Sequence, residues 1–165
     1  MPRNIAAMRH EAYPRTLDQG IRRAHPVHNM KTFTIDQANR ALPLVRRIVQ
    51  DIVDEYARWQ ALVKDLDVLA ASSARSAQWA PASEIARLQH DIQHAARTID
   101  GYVRELTELG IEMKGLDVGL VDFPGEIDGR RVYLCWRLGE PAVSHWHELD
   151  AGFAGRQPLA PNVVA

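Results

Sequence analysis

Apolar side chains recur at Val45, Val49, Ile52, Tyr56, Trp59, Val63, Leu66 and Ala70. The alternating steps of four and three keep one face of an α-helix apolar over several turns. Just ahead, Thr34-Ile35-Asp36-Gln37 has the form of a capping box: the Thr34 hydroxyl accepts from the Gln37 amide while the Gln37 side chain reaches back. Pro43 has no amide hydrogen and is expected to kink or divide this helix near its start. The alanine- and serine-rich stretch from Ala70 to Ser83, with Pro81 inside it, should hold a turn. A second series follows at Ile85, Leu88, Ile92, Ala95, Ile99, Tyr102, Leu106 and Leu109, and Gly110 stands where a left-handed C-terminal cap belongs. Leu106 and Ile111 would supply the hydrophobic contact of that cap. Helices so connected, over about 35–110, are expected to fold back as a long antiparallel hairpin.

The period then drops to two. Asp128-Gly129 is a type I′ hairpin signal and Gly139-Glu140-Pro141 marks a further turn, so a three-stranded antiparallel meander is expected over about 118–127, 130–138 and 142–149. If Ile127 opposes Arg130, then Phe123 opposes Leu134, Val121 opposes Trp136 and Asp122 opposes Cys135, which puts the apolar residues on one face. For the second hairpin, pairing Leu138 with Ala142 sets Trp146 against Leu134, His145 against Cys135 and His147 against Tyr133. A slip of one residue would exchange the faces. The fold class expected is therefore α+β, the helical hairpin packed with the small meander.

Length and composition narrow the setting. The chain of 165 residues suits one domain, here expected over 30–165, with 150–165 as a C-terminal loop segment. Residues 1–29 carry prolines and arginines without an apolar period and read as a weakly ordered, mildly basic arm. A net charge of −1 gives no general pull toward nucleic acid. The one cysteine excludes an internal disulfide and fits a reducing cytoplasm. Without an apolar run of about 18 residues no membrane-spanning helix is expected, and the N-terminus lacks the apolar stretch of a secretory signal.

Candidate chemistry gathers late in the chain. In the favoured register the face away from the core collects Asp122, Tyr133, Cys135, Arg137, His145 and His147. Two imidazoles two residues apart on a strand can ligate one metal ion, and Cys135 or Asp122 across the ladder could complete a zinc-like set, with Glu148 or Asp150 orienting a ring. The plainer alternative has the histidines packing against a neighbouring helix and hydrogen-bonding to Asp150 or backbone. A Cys135–His145 nucleophilic pair lacks any recognisable oxyanion donor. Gly152-Phe153-Ala154-Gly155-Arg156 could turn tightly and hold a carboxylate or phosphate, or simply pair Arg156 with Asp150. His90 and His94 fall on the side of the second helix away from Leu88, Ile92 and Ala95, as on a solvated face.

These residues carry a resemblance. Phe33-Thr34-Ile35-Asp36-Gln37-Ala38-Asn39 with Leu42-Pro43-Leu44-Val45, then Gly119-Leu120-Val121-Asp122-Phe123-Pro124, Val132-Tyr133-Leu134-Cys135-Trp136, Gly139-Glu140, and Trp146-His147 through Asp150, Gly152, Phe153, Gly155 and Arg156 resemble the bacterial family called domain of unknown function 2203, from about Met30 to Leu159. The resemblance implies a small soluble bacterial protein with a helical hairpin and a short sheet, and it brings no activity with it. It places His147, Asp150 and Arg156 inside the family motif and leaves His145 outside.

Two functions follow as expectations. The first is a small binding protein whose site beside the last strand (His147, Asp150, Arg156 and Asp122) takes a small anion or, with His145, His147, Cys135 and Asp150 as ligands, a divalent metal such as zinc. The second is an assembly module that dimerises through its helical faces, with the polar cluster purely structural. Whether any catalysis occurs is left open by the residues themselves.

Overall fold

A computed structural model describes residues 32–76 and 81–159. The arm expected over 1–29, the middle of the alanine-rich connection and the last residues of the C-terminal segment lie outside the described residues. Among the described residues two helices, α1 (Ile35–Ser76) and α2 (Ala82–Glu108), precede five strands: β1 (Glu112–Gly115), β2 (Leu120–Ile127), β3 (Arg130–Arg137), β4 (His145–His147) and β5 (Gln157–Pro158). The strands form one sheet in sequence order, each pair of neighbours antiparallel. The fold is α+β.

The start of α1 follows from its capping box. The Gln37 amide donates to the Thr34 hydroxyl at 3.1 Å and the Thr34 amide to the Gln37 side chain at 3.0 Å, so two backbone donors at the helix end are satisfied. Pro43 does not divide the helix: α1 runs through it without interruption. Its position is exposed, so the hydrogen bond it forgoes lies where water can serve the freed carbonyl. Burial of Ala38, Leu42 and Val45 on the opposite side holds both flanking turns in place. At the other end of the helical region, Gly110 takes φ 83°, the Gly110 amide donates to the Thr107 carbonyl and the Ile111 amide to the Leu106 carbonyl, each at 2.9 Å. This is a Schellman cap, and Leu106 and Ile111 are both buried beside it.

The two helices pack on one another, and their buried stripes share a core with the inner face of the sheet. Val45, Val49, Ile52 and Trp59 of α1 and Ile92, Ala95, Ile99 and Leu106 of α2 meet Val121, Phe123, Val132, Leu134 and Trp136 in that cluster. Beyond Trp59 the α1 series is less covered, with Leu62, Val63 and Leu66 half-buried.

Within the sheet the first hairpin has the expected register, with Val121 opposite Trp136, Asp122 opposite Cys135 and Phe123 opposite Leu134. Asp128 and Gly129 both have positive φ, 52° and 74°, as a type I′ turn requires. The second hairpin also pairs as expected at Tyr133–His147, Leu134–Trp146 and Cys135–His145. Its strand is shorter than 142–149, however. Before His145 the chain is occupied in other ways: Glu140 closes a turn onto Arg137, and the Val143 amide donates to the Asn39 side chain of α1.

The sheet has five strands, not three. The expected meander omits β1, which follows directly from the Schellman cap and pairs with β2 through an irregularity between Met113 and Gly115, and β5, a two-residue partner of β4. The stretch after residue 150 is thus not loop throughout. Phe33 adds a parallel bridge to Gly125, on the part of β2 that β1 leaves uncovered, and donates its amide to the Pro124 carbonyl at 2.7 Å. Gly125 is required there, since a Cβ would come within 2.9 Å of Leu134 and 3.2 Å of the Phe33 carbonyl oxygen.

Candidate metal centre

Strand alternation sends Asp122, Cys135 and His147 to the face of the sheet turned away from the helices, while Val121, Leu134 and Trp146 point into the core. The ladder makes Asp122 the direct neighbour of Cys135 and makes His147 the neighbour of Tyr133, one step along β3 and β4. All three side chains are buried, with residue exposures of 2% for Asp122, 0% for Cys135 and 2% for His147. One ligand atom from each lies within 4.8 Å of the other two.

His147 is held from both sides of its ring. The Glu148 carbonyl lies 2.7 Å from Nδ1 and can only accept, so Nδ1 carries a hydrogen. Nε2 then faces Asp122 Oδ2 at 3.1 Å. Burial by itself would lower the His147 pKa, but the hydrogen bonds to Asp122 and to the Glu148 carbonyl outweigh it and the net shift is upward. The two groups therefore form a buried imidazole–carboxyl hydrogen bond inside the protein. Asp122 Oδ1 is buried too and has no hydrogen-bond partner among the described residues. Burial, reinforced by the Asp122 charge and opposed by Arg156, pushes the Cys135 thiol up to about 12, so the sulfur is protonated near neutral pH.

The surroundings are polar and ordered. Tyr133 stacks obliquely against His147 with ring centroids 5.5 Å apart, and its hydroxyl donates to Glu112 at 2.8 Å. Burial first, and then that hydrogen bond, raise the Tyr133 pKa. Lys114 completes this side, donating to Glu112 at 2.6 Å and lying 4.9 Å from the Tyr133 ring centroid.

Of the residues expected at the site, Asp122, Cys135 and His147 come together. His145 does not join them through its ring nitrogens. It lies opposite Cys135 in the ladder, half-buried, with Nδ1 on the Ser144 hydroxyl at 3.0 Å. Asp150 sits exposed in the turn after β4, and the ring-orienting part foreseen for Glu148 or Asp150 falls instead to the Glu148 backbone carbonyl. Arg156 pairs with Glu140, not with Asp150: Nη1 and Nη2 donate to the two carboxylate oxygens at 2.9 and 2.8 Å, and Nη2 also reaches the Cys135 carbonyl at 3.4 Å. Against the cost of burial, Arg156 and the Arg137 amide hold the Glu140 carboxyl below its usual range. The guanidinium fork that would take an anion is thus filled by the protein's own carboxylate. In the sequence Glu140 stands out only as part of a turn and of the Gly139-Glu140 motif, with nothing to mark it as the partner of Arg156. His90 and His94 are both exposed on α2, as their heptad positions imply.

A family model described as "Uncharacterized conserved protein (DUF2203)" matches residues 31–159. No curated protein and no solved structure matches the chain.

Proposed function

The chain belongs to the DUF2203 family, and from that premise we propose that it is a metal-binding protein whose ligands are Asp122, Cys135 and His147. The observation that carries this reading is the buried triad of oxygen, sulfur and nitrogen donors within 4.8 Å of one another. Zinc bonds of about 2.0–2.3 Å set tetrahedral ligands roughly 3.3–3.8 Å apart, so the group needs to contract by about 1 Å. Two details support it. Nδ1 of His147 is committed to a backbone carbonyl, the outer contact that fixes a ligating histidine and leaves Nε2 for the metal. Asp122 also keeps a buried oxygen without a partner, a defect that a cation would remove. A bound ion would replace the proton between Nε2 and Asp122 and the proton on the Cys135 sulfur, and it would leave one coordination position for water or a small ligand.

The test is a titration of metal-stripped protein with zinc in competition with a chromophoric chelator, repeated with cobalt as a spectroscopic substitute. One equivalent should bind, with thiolate-to-cobalt charge-transfer absorption, and binding should be lost in Cys135→Ala and in His147→Ala. Equal affinity in the Cys135→Ala/His147→Ala double variant, or absence of the charge-transfer band, makes the triad a structural brace.

A separate observation favours assembly as a second property. The apolar series of α1 continues past Trp59 while Leu62, Val63 and Leu66 on the same face stay half-buried, a stripe that a second copy of the chain would cover. Sedimentation equilibrium tests this: a dimer that Val63→Asp converts to a folded monomer supports it, and a monomer at high concentration refutes it.

A further inference from the structure

We propose that the stretch after β4, from Leu149 through β5, is a latched cover on the polar face of the sheet, with the Glu140–Arg156 pair as its latch, and that opening it admits solutes to Cys135 and its neighbours. For metal ions this rests on the binding reading above; for Cys135 access it stands alone. Because Asp122, Cys135 and His147 are all but sealed from solvent, anything that reaches them needs part of the structure to move.

The candidates for movement differ sharply. β2 and β3 pair over eight positions each and their inner faces lie in the main core, so separating them amounts to unfolding. β1 is tied at its start to buried Ile111 and the cap of α2. The stretch after β4, from Leu149 through β5, is much less anchored than β4 itself, whose Trp146 packs on the core and whose buried His147 bonds to Asp122. β5 has two residues, both exposed, Leu149 to Ala154 are exposed throughout, and the 3-10 turn Phe153–Gly155 buries nothing. Such segments open at a small fraction of the free energy of global unfolding.

What fastens the segment is mainly one side chain. Arg156 sends both terminal nitrogens to Glu140, reaches the Cys135 carbonyl, and lies 5.0 Å over the Phe153 ring, which Arg137 also approaches at 5.9 Å. Glu140 is a fixed post: its carboxylate accepts the Arg137 amide at 2.9 Å, and its carbonyl accepts Trp136 Nε1 and Arg46 Nη2, each at 3.0 Å. Beyond Arg156 the chain is secured by its short pairing with β4 and by the Leu159 amide donating to the Ser144 carbonyl at 2.9 Å. Releasing the guanidinium therefore removes the contact that spans from this stretch to β3 and the turn after it.

Cys135 supplies a readout that needs no metal. In wild-type protein a small thiol reagent should label Cys135 at a rate almost independent of urea well below the unfolding midpoint, the sign of a local opening that exposes little surface. Arg156→Gln and Glu140→Gln should each raise that rate about tenfold or more, equivalent to about 1.4 kcal/mol, and Phe153→Ala should raise it less. Under the same conditions the Leu159 amide should exchange faster than the amides of β3. A wild-type labelling rate that follows the full urea dependence of unfolding overturns the latch, as does a rate unchanged in folded Arg156→Gln and Glu140→Gln proteins. Stopped-flow zinc uptake in the same variants then separates the two proposals: faster labelling without zinc binding leaves the cover and removes the metal.

Discussion

At the scale of single residues, the energetic centre of the polar face is the Asp122–His147 pair. Removing one partner of a buried hydrogen-bonded pair leaves the other polar group unsatisfied, which costs roughly 1–3 kcal/mol, and more when that group is charged. His147→Ala should therefore lower the urea midpoint of metal-free protein more than Asp122→Asn, because alanine leaves the buried Asp122 carboxyl without its partner, whereas the asparagine amide can still donate to Nε2 of a neutral imidazole. Equal losses would show that the charge on Asp122 is unimportant. Each shifted group also sets a pH window. The folded His147 pKa lies above its ordinary 6.5, so its stabilising contribution is complete below that value and is lost as pH rises through the folded value. Glu140 behaves in the opposite way: its folded pKa lies below 4.5, so its contribution is present above that value and disappears as pH falls through the folded one. The stability difference between wild type and Glu140→Gln, measured by urea unfolding across pH, should accordingly be constant near neutrality and shrink in acid. A difference that stays constant into acid would mean that Glu140 acts through packing and not through its charge.

At the scale of elements, local chemistry and long-range fit separate what could be read from the chain. Thr34 and Gln37, Gly110 with Leu106 and Ile111, and Asp128-Gly129 each settle their own geometry within a few residues, and the hairpin registers follow once alternation is combined with a defined turn. β1 and β5 carry no such signal. Glu112 to Gly115 is too short and irregular to alternate, and Gln157-Pro158 becomes a strand only because the chain turns back beside β4. Pairing Arg156 with Asp150 was the economical choice in sequence, but the turn after β4 carries Asp150 outward and brings the arginine to Glu140, sixteen residues away. The candidate site was legible in part: register puts Asp122, Cys135 and His147 on one face together with Tyr133, Arg137 and His145, whereas the separation of His145 and Asp150 from the triad depends on side-chain direction and on the turn. Gly119 gives a test at this scale. It has φ 64°, and a Cβ there would lie 2.7 Å from both Leu138 and Val49, so it joins the loop before β2 to the first turns of α1. Gly119→Ala should cost more than about 1 kcal/mol in urea unfolding, since a strained backbone and an overpacked contact combine. Gly129→Ala, also at positive φ but in open space, should cost less.

At the scale of the whole molecule, the helices and the inner face of the sheet form the main core, and the triad lies on the sheet's far side. An ion held there would tie β2, β3 and β4 together, three neighbours that on that face also meet through the imidazole–carboxyl contact and the Tyr133–His147 ring contact. Ligand binding to the folded state alone adds RT ln(1 + [L]/Kd), or about 2.7 kcal/mol at a hundredfold excess over Kd. For a chain of this size each kcal/mol moves the melting temperature by about 2–4 °C. Zinc at such an excess should thus raise it by roughly 5–10 °C. The increase should vanish in Cys135→Ala, whose loss of a buried sulfur lowers the starting stability without preventing the measurement. It should survive in His90→Ala/His94→Ala, which removes the exposed imidazole pair of α2 and so distinguishes the triad from adventitious binding at the surface. Should the rise persist without Cys135 and disappear with the α2 histidines, the metal would belong to the helix surface, and the buried triad would remain as a brace between the strands.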